Sequence, residues 1–232
     1  MALDRDQVVR TALRLLNEAG LDGLTLRRIA GQLGVQAPAL YWHVKNKQEL
    51  LDEMATTMLR DLLAAPGQPD PELPWEQWVL QSSRGLRRML LSYRDGAKVF
   101  SGTYLTDDTL LQSTEVPLRK LTDAGFSVRD AARGWATLYS YTIGFTIEEQ
   151  AVHPRPGQRD PRYDPNTRAK RLDGERFPLA LAAGQEVFTG YDDRFDHGLQ
   201  LIIAGLKQSL HNASEPAEPS TPIRQITPAT MH

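Results

Sequence analysis

The sequence predicts an all-α protein, with a small N-terminal three-helix unit of helix-turn-helix type ahead of a larger helical domain. Three observations carry this expectation. Apolar residues recur at steps of three and four through almost the whole chain. No segment alternates apolar and polar residues as a half-buried strand does. Near the N-terminus, Gly34 separates two short apolar-faced stretches, the signature of a sharp corner between helices.

The first helix is expected from Arg5 to Ala19, with Val8, Val9, Ala12, Leu13, Leu15, Leu16 and Ala19 on its apolar side, Asp4 as cap and Gly20 as stop. The second runs from Thr25, its N-cap, to Leu33, and buries Leu26, Ile29, Ala30 and Leu33 before Gly34 ends it. The third begins at Gln36 or Ala37 and reaches Val44; Pro38 is tolerated because the amides of a first turn are unpaired anyway. A long helix over 47–63 follows, with Leu50, Leu51, Met54, Met58 and Leu62 along one side. The stretch 64–74, "AAPGQPDPELP", is a loop. Helical periodicity returns over 75–92, briefly around Val99, then over 107–124 and 127–152. Residues 153–176, rich in proline, arginine and aspartate, are expected to be mobile. Residues 178–188 and 192–210 read as helices, and 212–232 carry the proline, serine and threonine of a disordered tail. The expected division is 1–47, 48–211 and 212–232.

Composition narrows the function. A chain of 232 residues holds one small and one larger domain, and 41% hydrophobic with 24% charged residues is an ordinary globular balance. The net charge of -2 argues nothing for nucleic acid, so a basic surface must be local. In the first fifty residues Arg5, Arg10, Arg14, Arg27, Arg28, Lys45 and Lys47 stand against Asp4, Asp6, Glu18, Asp22 and Glu49, a small excess. The absence of cysteine excludes disulfides and thiolate catalysis. No apolar run approaches the roughly 18 residues of a membrane span, and the N-terminus lacks a signal-peptide core, so a cytoplasmic protein without membrane contact is expected. An enzyme is disfavoured. There is no phosphate-cradling glycine loop or nucleophile elbow, and the acid pairs Asp107 with Asp108 and Glu148 with Glu149 are adjacent, so each pair points to two helix faces.

The stretch "GVQAPALYWHVKNK", 34–47, has a chemistry that a plain core helix does not need. Gly34 makes the corner, Leu33, Val35 and Leu40 pack inward, and Pro38 stiffens the first turn. Tyr41 and Trp42 each join a flat apolar body to a polar tip, which suits a sugar-phosphate wall, while Lys45 and Lys47 supply charge for phosphate. Arg27 is the candidate base reader, through a bidentate contact to guanine O6 and N7, with Gln36 beside it. Short helix pairs with a glycine corner are common, and an aromatic pair also suits a core. The combination favours double-stranded DNA as the partner.

These residues also carry a likeness. "GLTLRRIAGQLGVQAPALYWHVKNKQELL" closely resembles the DNA-binding domain of the TetR family, and "LLSYRDGAKVFSGT", "GFSVRDAARG", "IEEQ" and "FDHGLQLIIAGLKQSL" resemble stretches of its regulatory domain, over about residues 4–210. The resemblance implies phosphate or base contacts from Thr25, Arg27, Arg28, Tyr41, Trp42 and Lys47. With Gln36, Ala37, Pro38, Ala39, His43 and Lys45 these form the candidate DNA-binding set. Ala37 and Ala39 depart from the glutamine and threonine of the tetracycline-responsive members, and have only methyl groups to present. The operator is therefore expected to differ.

The resemblance also implies an effector-binding and dimerisation domain, and there the departures matter more. Phe100 stands where tetracycline-responsive members have a histidine that binds the drug-chelated magnesium; Ser82 and Val116 replace amide ligands and Leu86 a phenylalanine. Thr103 and Glu148 remain, although a lone glutamate on a long helix also suits a solvated face. The five histidines show no spacing for another metal site, so no metal or cofactor is expected. Leu86, Phe100, Tyr104, Val116, Trp135 and Tyr139 become candidate walls, with Ser82, Thr103 and Glu148 as polar anchors, for a largely apolar, ring-containing small-molecule effector. Magnesium-tetracycline is the rival ligand, and a ligand-sequestering protein without DNA function the other alternative. A homodimer reading a palindromic operator is implied, through 127–152 with Ala131, Ala132, Gly134 and Ala136, and 192–210 with Gly198, Ala204 and Gly205 beside Leu199, Ile202, Ile203 and Leu206. Core burial is the competing use of these residues.

Overall fold

The computed structural model describes residues 3–155 and 157–214. The described residues form helices and connecting turns, with a single isolated bridge between Arg155 and Gln158. In chain order the helices are α1 (Arg5–Gly23), α2 (Leu26–Leu33), α3 (Ala37–Leu40), α4 (Lys47–Ala64), α5 (Trp75–Leu91), α6 (Gly96–Phe100), α7 (Thr109–Asp123), α8 (Val128–Val152), α9 (Pro165–Ala169), α10 (Pro178–Phe188) and α11 (Tyr191–Ser214).

Local chemistry sets the boundaries. Asp4 and Gln7 form a reciprocal capping box at the start of α1, and Thr25, Asn46 and Ser127 accept from backbone amides at the starts of α2, α4 and α8. Two boundaries differ from expectation. α1 passes Gly20 and ends at Gly23, with Gly20 at φ 73° as a kink; a Cβ there would lie 2.9 Å from Arg94 Nε, so the kink is also a close approach. α3 stops at Leu40 and continues as a hydrogen-bonded turn through His43, whose carbonyl accepts from Arg5 Nε at 2.9 Å. The segment 153–176 contains a short 3-10 turn (Pro161–Tyr163) and α9, and Arg159 ties it to the Tyr163 and Phe188 carbonyls at 3.2 and 2.7 Å. Residues 212–214, which the sequence predicts as disordered tail, belong to α11; 215–232, the rest of the expected tail, lie outside the described residues.

Two apolar clusters form the interior. The first joins α1–α4 to the regulatory half without a break, with Leu16, Ile29, Leu40, Met54 and Met58 continuous with Leu86, Leu90, Val99, Phe100 and Ile143. The boundary expected at position 47 falls at the first residue of α4, and the core runs across it without a gap. The second lies between α5, α7, α8 and α11 and contains Trp75, Trp78, Leu121, Phe126, Leu138, Phe195 and Leu199. Trp75 meets Phe126 edge to face at 5.1 Å, and Tyr141 stacks on Phe195 at 5.5 Å.

Small residues on α8 and α11 divide between two uses. Ala131, Gly134, Leu199 and Ile203 are buried within the chain, and a Cβ on Gly134 would approach Leu206 Cδ2 to 2.8 Å. Gly198 lies under Tyr141, whose hydroxyl donates to the Phe195 carbonyl at 3.1 Å. Core packing thus claims these positions. Ala132, Ala136, Ala204 and Gly205 stay exposed beside Leu201, at 62% exposure.

One ion network runs from the interior to the surface. Arg87 donates to both oxygens of Glu149 at 2.8 and 2.7 Å and to Asp192 at 2.7 Å, with its guanidinium 5.0 Å from the Phe195 ring centre. Removing the arginine strands a buried carboxylate, whereas Arg84 pairs with Asp196 nearer solvent. Arg87→Ala is expected to lower the unfolding free energy by about 3–5 kcal/mol and Arg84→Ala by about 1 kcal/mol or less, both read by urea denaturation.

Candidate nucleic-acid interface and effector site

The fold sorts the N-terminal cations into two groups. Arg5 is engaged by Glu49 and Glu53, Arg10 by Asp6 and Asp61, and Arg14 donates to Thr11. The bonds to Glu49, Glu53 and Asp61 hold α1 to α4, and those to Asp6 and Thr11 lie within α1. Arg28 approaches Glu18 only to 3.9 Å, and Lys47 Nζ reaches the Leu21 carbonyl at 3.4 Å while exposed to solvent. Among the described residues the side chains of Arg27 and Lys45 have no ion pair or hydrogen bond, and both are exposed.

The rest of the candidate DNA-binding set surrounds them. α2 meets α3 through Gly34, at φ 69° with open space around it, while Leu40 is fully buried and Leu33, Val35 and Ala37 pack half-buried against the same core. That packing fixes the interhelical angle. Thr25 is exposed and caps α2 by accepting from the Arg28 amide at 3.2 Å. Gln36 precedes α3 without making a cap hydrogen bond, so its amide stays outward. Pro38 is exposed, Ala39 and His43 half-buried. Tyr41 is 55% and Trp42 88% exposed, which excludes the core alternative for the aromatic pair. Thr25, Arg27, Gln36, Tyr41, Trp42, Lys45 and Lys47 are thus brought to the exposed side of one helix pair.

The candidate effector residues are only partly brought together. Leu86 and Phe100 are buried in the first cluster, and the Phe100 ring lies 6.4 Å from Tyr139, which is 38% exposed and whose hydroxyl burial pushes up from the ordinary tyrosine range. Ser82 has its hydroxyl buried with no hydrogen-bond partner, an unmet donor on the helix that also carries Leu86. Tyr104 and Val116 are open to solvent at 74% and 55%. Trp135 sits apart from them, packed 6.1 Å from Trp78 in the second cluster. Glu148 is exposed, and it is Glu149 that is buried against Arg87; the adjacent pair reads alike in sequence, and only contacts across the fold separate them. Among the described residues no group of three histidine, aspartate or glutamate side chains is placed to hold a metal ion.

The helix between the two regions, α4, carries clasps that sequence reading missed. Thr103 Oγ1 donates to the Phe100 carbonyl at 2.8 Å and closes α6, and the segment after it is stitched to α4. The Tyr104 amide donates to Asp52 at 3.1 Å, the Thr106 amide to Thr56 Oγ1 at 2.9 Å, and Arg60 pairs with Asp107. Hydrogen bonds from Thr109 and Arg60 hold the Asp107 carboxyl down at about 2. On the neighbouring face of the same helix, Glu49, Glu53 and Asp61 hold Arg5 and Arg10 of α1. The only signal in sequence was two polar rows at steps of four.

α10 completes the picture. Phe177, Leu179, Leu181 and Val187 are exposed at 44%, 83%, 36% and 45%, an apolar surface that the rest of the described chain leaves uncovered.

Comparison with known proteins agrees with this geometry. Residues 8–54 match the model of bacterial regulatory proteins of the tetR family, and residues 68–210 that of the tetracyclin repressor-like C-terminal domain. The class C tetracycline repressor protein of Escherichia coli is 39% identical over 206 residues, covering 89% of this chain and 91% of that protein. The crystal structure of a possible TetR family transcriptional regulator from Streptomyces coelicolor A3(2) superposes with a TM-score of 0.78 at 38% identity, over 89% of this chain and 100% of that one. The Streptomyces coelicolor TetR family protein ActR in complex with actinorhodin gives a TM-score of 0.77 at 31% identity, over 93% and 100%. With both domain models matched and a relative aligned over most of its length, the chain belongs to the TetR family of transcriptional regulators.

Proposed function

We propose that the protein is a homodimeric repressor that leaves a palindromic operator when a largely apolar, ring-containing effector enters its regulatory domain. The observation that carries the DNA half is the sorting of charge: Arg5 and Arg10, which build the fold, are paired with carboxylates, while Arg27 and Lys45 stay free and Lys47 has only the Leu21 carbonyl, on the same small domain as the exposed Tyr41 and Trp42. Free cations and exposed aromatics on a helix pair suit a phosphate backbone, and in this reading Arg27 with Gln36 reads base edges. Ala37 and Ala39, both half-buried, leave little polar reading to α3.

The effector half rests on the Phe100 and Tyr139 rings, the buried unpaired Ser82 hydroxyl and the open flank at Tyr104 and Val116. An apolar wall with one unmet hydroxyl suits a ring system carrying a hydrogen-bond acceptor, bound without a divalent cation. ActR, a protein of similar fold, has been crystallised with actinorhodin, which supports a multi-ring organic ligand. The open flank is closed in the dimer by α10 of the second copy, whose bare apolar side supplies the missing wall. The dimer contact runs along the exposed Ala132, Ala136, Ala204, Gly205 and Leu201, where an open trough of about 560 Å3 lies over Ala136, Ser140 and Ile202. Effector that displaces the 101–107 segment drags α4 through Asp52, Thr56 and Arg60, and α4 reorients the reading heads through Arg5 and Arg10. The cytoplasm is the site of action; among the described residues no helix is long and apolar enough to cross a membrane.

Three outcomes are expected. Arg27→Ala removes the preference for operator over random DNA, by about 1–3 kcal/mol, while Lys47→Ala weakens both equally, read by salt-controlled mobility shift; equal losses for the two variants overturn the assignment. Tetracycline titrated with and without chelator shows no magnesium-dependent binding at micromolar concentration; tight magnesium-dependent binding makes the rival ligand correct. Leu179→Asp on α10 weakens effector binding and leaves operator affinity of the free protein unchanged.

A further inference from the structure

A groove of about 600 Å3 lies where the DNA-binding half meets the regulatory half, between the end of α1, the turn after α5 and the end of α8. It shares no residue with the Phe100 and Tyr139 wall, and its size is that of a small-molecule site. Leu91, Tyr93 and Pro154 give it an apolar side. Its polar groups fall into two kinds.

Some are fully engaged. Glu149 is neutralised by Arg87, and Gln150 donates to the Leu90 and Tyr93 carbonyls while accepting from the Ala97 amide at 3.0 Å. Others are under-satisfied. His153 Nε2 is buried with no hydrogen-bond partner, while burial and the nearby Arg159 lower the imidazole pKa, so the ring is a neutral hydrogen-bonding group. At the mouth, Arg94 Nη1 and Arg155 Nη2 both donate to one acceptor, the main-chain carbonyl of Glu18, at 3.1 and 3.0 Å. Two guanidinium forks share a single neutral oxygen, and no carboxylate pairs with either of them among the described residues. The Glu18 carboxylate itself is turned to Arg28, and is 62% exposed. A guanidinium's preferred partner is a carboxylate that takes two parallel hydrogen bonds, and each of these forks lacks one.

We propose that this groove is a second small-molecule site, for an aromatic carboxylate whose acid group takes Arg94 and Arg155 from the Glu18 carbonyl and whose ring lies along Tyr93 and Pro154. A ring hydroxyl meets His153 Nε2. Because Glu18 belongs to α1, the occupant releases one of the clasps between the two halves and lowers operator affinity without entering the effector pocket. The proposal goes beyond the effector reading and stands independently of it.

The test uses salicylate as probe on the full-length protein, with uncharged salicylamide as control. Calorimetry is expected to show saturable salicylate binding, weakened at least about tenfold in salicylamide and in the Arg94→Gln, Arg155→Gln double variant, the loss of a charge-assisted fork. Arg155→Gln alone, on an exposed side chain that the core does not need, is expected to weaken binding in the same direction. The His153 ring proton resonance, assigned by its disappearance in His153→Gln, is expected to shift with the calorimetric Kd. Absence of saturable binding, equal binding of salicylamide, undiminished binding by the two arginine variants, or an unmoved His153 resonance overturns the site.

Discussion

The link proposed between effector and DNA rests on α4 being held on two adjoining faces by hydrogen bonds, most of them charged. Glu49, Glu53 and Asp61 hold α1, and Asp52, Thr56 and Arg60 hold the segment that leaves Phe100. The two sets of holds interleave along the same stretch of this 18-residue helix, about 27 Å long, which does not bend cheaply. A displacement of the 101–107 segment would therefore turn α4 as a unit and carry its hold on α1 with it. The continuous apolar cluster beneath, from Ile29 through Met54 to Phe100, means that such a motion would slide packed elements together and not swing a loose tether.

The second structural commitment is Arg87. Its charge is removed from water among Phe145, Phe195 and Glu149, and such a burial is stable only because both carboxylate oxygens and the aromatic faces answer it. The network ties α5, α8 and α11 into one frame, against which the proposed movement of α4 would act. A frame that moved with its lever would transmit nothing.

How much of this was legible in the sequence follows from range. The helices were legible because periodicity and caps are local: Thr25, Asn46, Ser127 and Gly34 act within four residues of themselves. The corner, the buried Leu40 and the outward Trp42 followed from the same short stretch. What stayed hidden was decided by partners far along the chain. Arg5 and Arg27 are both arginines on amphipathic helices, and only Glu49 and Glu53, more than forty residues away, make the first structural and leave the second free. Glu148 and Glu149 are separated by Arg87, 62 residues off. Likewise Gly134 and Gly198 looked like interface residues because small side chains permit any close approach, and Leu206 and Tyr141 of the same chain take that room.

The unequal surroundings of the tryptophans carry an optical consequence. Trp75, Trp78 and Trp135 stand together in the second apolar cluster, while Trp42 stands alone in solvent at the corner of the helix pair. Indole emission reports local polarity, so the spectrum divides into a blue component from the interior and a red, iodide-quenchable one from a single residue. The protein carries its own reporter at the surface where a duplex would lie, and shielding of that red component registers occupancy without any added label.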